Sequence, residues 1–178
     1  PDESKRYKLV VYAAPEQGRG LYAAFSADGV HWRWREHALL PHLGDRTNIW
    51  FDPDNSRFRV WTRLRGYPKR VVAESESEDF EHWSGQRLVL QPDREDPSDM
   101  EFYSATAFKY ESMYLGFLEI FHLNARRLDT QLISSRDGLG WQRAADREVF
   151  LPNGAEGEFD CWWAFPASNP PLRVGDEL

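Results

Sequence analysis

Ser26-Ala27-Asp28-Gly29-Val30-His31-Trp32, Ser77-Glu78-Asp79-Phe80-Glu81-His82-Trp83 and Ser135-Arg136-Asp137-Gly138-Leu139-Gly140-Trp141 align without a gap. In each, Ser stands six residues before Trp and Asp four before it. The tryptophans follow one another at 51 and 58 residues. A repeat of this length, carried by short alternating apolar segments, predicts four-stranded antiparallel blades set radially around an axis. Asp-Gly between two strand-like runs is a strong hairpin signal, because Gly accepts a positive φ and Asp bonds back to its own backbone. The Ser caps the same turn, and the Trp opens the next strand with a ring large enough to pack between blades. These residues are therefore scaffold.

Outward from the signatures, the strands fall into place. Arg6–Tyr12, Gly20–Phe25 and His31–Trp34 read as the later strands of a first blade. Asn48–Phe51, Arg57–Thr62, Arg70–Ala73 and Arg87–Leu90 complete a second, and Phe102–Phe108, Met113–Leu118 and Thr130–Ile133 form a third. Cys161–Phe165 is expected to open a fourth. The blade ranges are 1–40, 45–92, 99–151 and 158–178, about three and a half blades of one partial propeller. Pro1-Asp2 and Leu178 fall inside hairpins, so the exposed sheet edges are expected to be covered by further chain or by another copy in a homo-oligomer.

Composition limits the partners. Lys and Arg number 22 against 29 Asp and Glu, a net charge of −7, which argues against nucleic acid and anionic membrane. Arg63, Arg65, Lys69 and Arg70 cluster, and read as a solvated edge strand. No apolar run is long enough for a transmembrane helix, and no leader pattern is visible, so the compartment stays open. The lone Cys161 reads as a small buried hydrophobe. The five histidines, at 31, 37, 42, 82 and 122, show no metal-binding spacing.

With the signatures, the Asp52-Pro53 turn, Glu101-Phe102-Tyr103-Ser104 and Asp129-Thr130-Gln131-Leu132-Ile133-Ser134-Ser135 in view, the chain resembles the five-bladed β-propeller glycoside hydrolases, near families 32, 43 and 68. The signature is also similar to the Asp-box of sialidases but is one residue shorter between Asp and Trp, which argues against a sialidase. The resemblance implies an axial funnel lined by the first strand of each blade, with acids at its entrance. The matching positions are Asp45 with Asn48, Glu101, and Asp160. It implies a carbohydrate substrate and no cofactor; a structural Ca²⁺ is compatible with axial carboxylates but nothing in the sequence requires it.

Glycoside hydrolysis needs one carboxylic acid to protonate the leaving oxygen and a second carboxylate to attack or to activate water. Glu101 is the choice for the acid, since Phe102 and Tyr103 flank it and a carboxyl among apolar neighbours holds its proton more readily. Asp160 and Asp45 are the other catalytic candidates. Tyr103, Trp162 and Trp163 offer faces for stacking a sugar, while Asn48, His122 and Asp129 offer polar contacts. The same acids could instead satisfy turn amides at strand starts. Three functions follow: a glycosidase, a non-catalytic carbohydrate-binding propeller, or a scaffold for protein.

Overall fold

The computed structural model describes residues 2–16, 18–41, 44–64, 67–167 and 170–177; Pro1, His42, Arg65 and Leu178, invoked above, lie outside the described residues. The chain forms three antiparallel sheets. The first holds β1 (Tyr7–Ala13), β2 (Gly20–Ser26), β3 (Arg33–Trp34) and β4 (Leu40–Pro41), with β3 and β4 sharing the outer edge of β2. The second runs β5 (Thr47–Asp52), β6 (Arg57–Leu64), β7 (Val71–Ser77) and β8 (Arg87–Leu90) in up-and-down order. The third has β9 (Met100–Tyr110), β10 (Met113–His122) and β11 (Arg127–Ser135), with β12 (Gln142–Arg143) and β13 (Val149–Leu151) sharing the outer edge of β11. The signatures follow β2, β7 and β11, so these strands are equivalent and the first sheet starts at its second strand. The architecture is all-β, a partial β-propeller.

The signature turns are superimposable in their bonding. Ser26, Ser77 and Ser135 each take the backbone N–H three residues on, at 2.8, 2.8 and 2.9 Å. Asp28, Asp79 and Asp137 each accept two further N–H groups. Each indole N–H donates to the carbonyl three residues back. The residue after Asp is left-handed in all three: Gly29 at φ 80°, Phe80 at 69° and Gly138 at 74°. Phe80 accepts this strained conformation because its ring is buried against Phe25, Phe58 and Trp83.

Trp141 reaches from the third sheet onto the second, with its ring 4.8 Å from Trp61 and 6.4 Å from Trp50. Trp83 does the same one blade earlier, packing with Leu21 and Leu40 of the first sheet. The second and third sheets are stitched further by Asn48, whose amide donates to Ser104 Oγ at 2.9 Å and to the Ala105 carbonyl at 2.6 Å. Tyr114 donates its phenol to Asp52 at 2.6 Å. Gly116 is glycine because a Cβ would stand 2.5 Å from the Thr106 carbonyl of the neighbouring strand.

One buried ion network belongs to the second sheet. Arg59, only 1% exposed, donates to Asp52 at 2.9 Å and to Glu74 at 2.7 Å. Glu74 also accepts from Trp61 Nε1 at 2.6 Å and from Arg87 at 2.6 Å. Burial, then the bond to Asp52, pushes the Tyr114 phenol pKa up.

Among the described residues Cys161–Phe165 meets the outer edge of the third sheet. Trp163 forms a parallel bridge to Leu128, and the Leu128 N–H donates to the Trp162 carbonyl at 2.8 Å. The reason lies on β11: β12 and β13 pair with Ile133–Ser134 and Thr130–Gln131, leaving the outer edge at Leu128 for this segment to take. Thr130 Oγ secures it with a 3.0 Å bond to the Ala164 carbonyl. Cys161 is buried and free.

Candidate active site between the second and third sheets

The register between β9 and β10 slips once. Ser104 faces Glu119 and Phe102 faces Ile120, so Tyr103 is the extra residue of a β-bulge. Bulges re-aim a side chain, and here the Tyr103 ring becomes the centre of a cluster. The Arg63 guanidinium stands 4.5 Å from the ring centroid and that of Arg70 at 5.7 Å. Trp163 meets the same ring edge-on at 5.3 Å, and Phe121 lies at 5.7 Å.

Each arginine carries a carboxylate with it. Arg63 pairs with Asp45, and Arg70 pairs with Glu101, whose other oxygen accepts the Arg70 backbone N–H at 3.4 Å. Asp45 and Glu101, from the starts of successive blades, are thus drawn to one aromatic ring. The basic cluster is therefore not a solvated edge strand: β6 lies between β5 and β7, and Arg63 is 6% exposed. Phe102 does not furnish Glu101 with an apolar setting, because it is fully buried in the core shared by the second and third sheets, while Glu101 faces Arg70.

A second ion pair joins the cluster. Arg46 binds Glu119 and covers the Phe165 ring at 4.5 Å. Burial pushes the Glu119 carboxyl pKa up, with Arg46 and Arg63 pulling against it. Nearby, His122 Nε2 meets Asp129 at 2.7 Å, while the other Asp129 oxygen is buried and unpartnered among the described residues. Trp162 is exposed beneath the Arg127 guanidinium at 5.4 Å.

Two further candidates make other contacts. Asn48 is spent on the bonds between sheets described above. Asp160 lies in the loop ahead of Trp163, its carboxylate so close to Gly154 that no Cβ fits there. Arg46, Arg63, Arg70 and Glu119 were not among the residues that sequence singled out for the site. Glu119 carried a readable signal, since it is a lone acid in the apolar run Leu115–Phe121; the expected strand stopped at Leu118, whereas β10 continues to His122. Among the described residues no three His, Cys, Asp or Glu side chains gather to hold a metal ion, and no helix is long and apolar enough to cross a membrane.

No protein-family model matches the sequence, and no curated protein is similar to it at a significant level. Solved structures are similar in fold. An N-acetylgalactosamine deacetylase from F. plautii, in complex with blood group B trisaccharide, aligns with a TM-score of 0.64 at 16% identity, over 92% of this chain and 58% of the other. A thermostable family-43 glycoside hydrolase aligns at 0.62 and 14% identity, over 81% of this chain and 52% of the other. A GH32 β-fructofuranosidase from Bombyx mori aligns at 0.55 and 17% identity, over 83% of this chain and 35% of the other. The chain thus spans between about a third and three-fifths of the length of these structures. Its architecture is that of a partial β-propeller of the kind found in glycoside hydrolases.

Proposed function

We propose that the chain contributes the acid side of a glycoside hydrolase site, with Glu101 as the proton donor to the leaving oxygen and Asp45 as a second carboxylate. The observation that carries this reading is the convergence of Asp45–Arg63 and Glu101–Arg70 on the Tyr103 ring. Acid-assisted cleavage of a glycosidic bond uses a pair of carboxylates, and aromatic faces beside them suit a sugar ring. Tyr103 and Trp163 supply faces for a sugar ring, and His122 and Asp129 line the adjoining rim. Asp160 then acts through the loop that presents Trp163. The neighbours include a deacetylase as well as hydrolases, so the fold alone does not select the reaction.

The test is hydrolysis of an oligosaccharide panel by the full-length protein containing this chain. Glu101→Gln removes the proton and keeps the shape, so turnover falls by at least about a hundredfold while sugar binding survives. Unchanged turnover in that variant rules Glu101 out as the acid. A non-catalytic carbohydrate-binding role is the second reading, favoured by the arginines that hold both carboxylates; binding without turnover in the unmodified protein would establish it.

A further inference from the structure

Beside Glu101 lies a cavity of about 330 Å³, within the size range of small-ligand sites, and its wall includes Arg63, Tyr67, Lys69 and Arg70. Three cations meet one carboxylate there, in a chain whose net charge is −7. Asp45 compensates Arg63, but its own side chain is half exposed. Lys69 donates to the Pro97 carbonyl at 3.1 Å and pairs with no carboxylate among the described residues. Tyr67 stands partly exposed on the same wall and offers a ring face to a sugar.

We propose that this cavity takes the anionic substituent of a saccharide, a uronate carboxylate or a sulfate ester. The inference rests on the glycan reading above and adds the substrate class. Arg63 and Arg70 are held in place by the Tyr103 ring, so their forks are set before a ligand arrives and little ordering is lost on binding. Charge-assisted bonds to a carboxylate or sulfate are stronger than bonds to a neutral hydroxyl. A neutral sugar offers these cations no counter-charge, which is how the cavity discriminates.

The experiment measures calorimetric binding of four ligands to the full-length protein: a galacturonate trisaccharide, its methyl ester, a sulfated galactose trisaccharide and its unsulfated form. At least one charged ligand should bind about tenfold tighter than its neutral counterpart, with the ratio shrinking as salt rises. Preference confined to the uronate assigns a carboxylate, and preference confined to the sulfated sugar assigns a sulfate. Lys69→Gln, a substitution at a partly exposed position, should weaken the favoured charged ligand about fivefold and narrow the ratio, and Lys69→Arg should restore it. Equal affinity for charged and neutral forms overturns this proposal and leaves the glycan reading intact. Absence of binding by all four overturns both.

Discussion

Strand β6 carries two arginines with opposite fates. Arg59, near its start, is enclosed with Asp52, Glu74 and Trp61, and its guanidinium bonds both carboxylates. Arg63, toward its end, is equally buried but leans on an aromatic ring, bonds an exposed carboxylate and borders a cavity. The first arrangement is complete within the protein. The second joins Arg63 to the half-exposed Asp45, and Arg70, itself more than a third exposed, to the buried Glu101. Burial of a charge alone therefore does not distinguish scaffold from site; what distinguishes them is whether the partners are themselves sealed.

Three measurements would break or sharpen that contrast. The largest effect is expected for Glu74→Ala, which strands Arg59 and the Trp61 N–H in the interior and should cost about 3–5 kcal/mol in denaturant unfolding. A loss below about 1 kcal/mol would mean that the network is not sealed. Arg70→Gln should cost less than Glu74→Ala, because Arg70 is itself more than a third exposed and borders an open cavity, while weakening a bound anionic sugar about tenfold. Equal stability losses for the two variants would erase the distinction. The smallest effect concerns the turns. Backbone N–H groups of Gly140 and Leu139 hold the Asp137 carboxyl pKa down to about 2, from 3.8. A depressed carboxylate contributes stability above its unfolded value and loses it as pH falls through the folded one. The unfolding midpoint should therefore drop between about pH 4 and pH 2, and Asp137→Asn should flatten that part of the profile. An unchanged profile would show that these turn bonds do not depend on charge.

The scaffold was legible because its determinants are local. Ser, Asp and Trp of each signature bond within seven residues of one another, so the turn chemistry written in the sequence is the chemistry seen. The site was only partly legible because it is assembled across sheets. Glu101 and Asp45 were readable as acids at strand starts, but their arginines are contributed by distant positions on β6 and just ahead of β7. The bulge at Tyr103 also escaped notice, since no Gly marks it and strict alternation hides it. The aromatic, strand-like composition of Cys161–Phe165 likewise says nothing about which edge it meets; its bridge to Leu128 lies beyond the stretch of β11 that β12 and β13 cover.

The rings of Trp83 and Trp141 have a consequence for how the chain comes apart. Each is anchored by its own blade's turn yet seated in the preceding blade's core, so removing one blade opens a socket in its neighbour. Such nearest-neighbour coupling ties each of these sheets to the one before it. Trp32 has no ring contact of this kind among the described residues, so Trp32→Ala should lower stability less than the same change at Trp83 or Trp141.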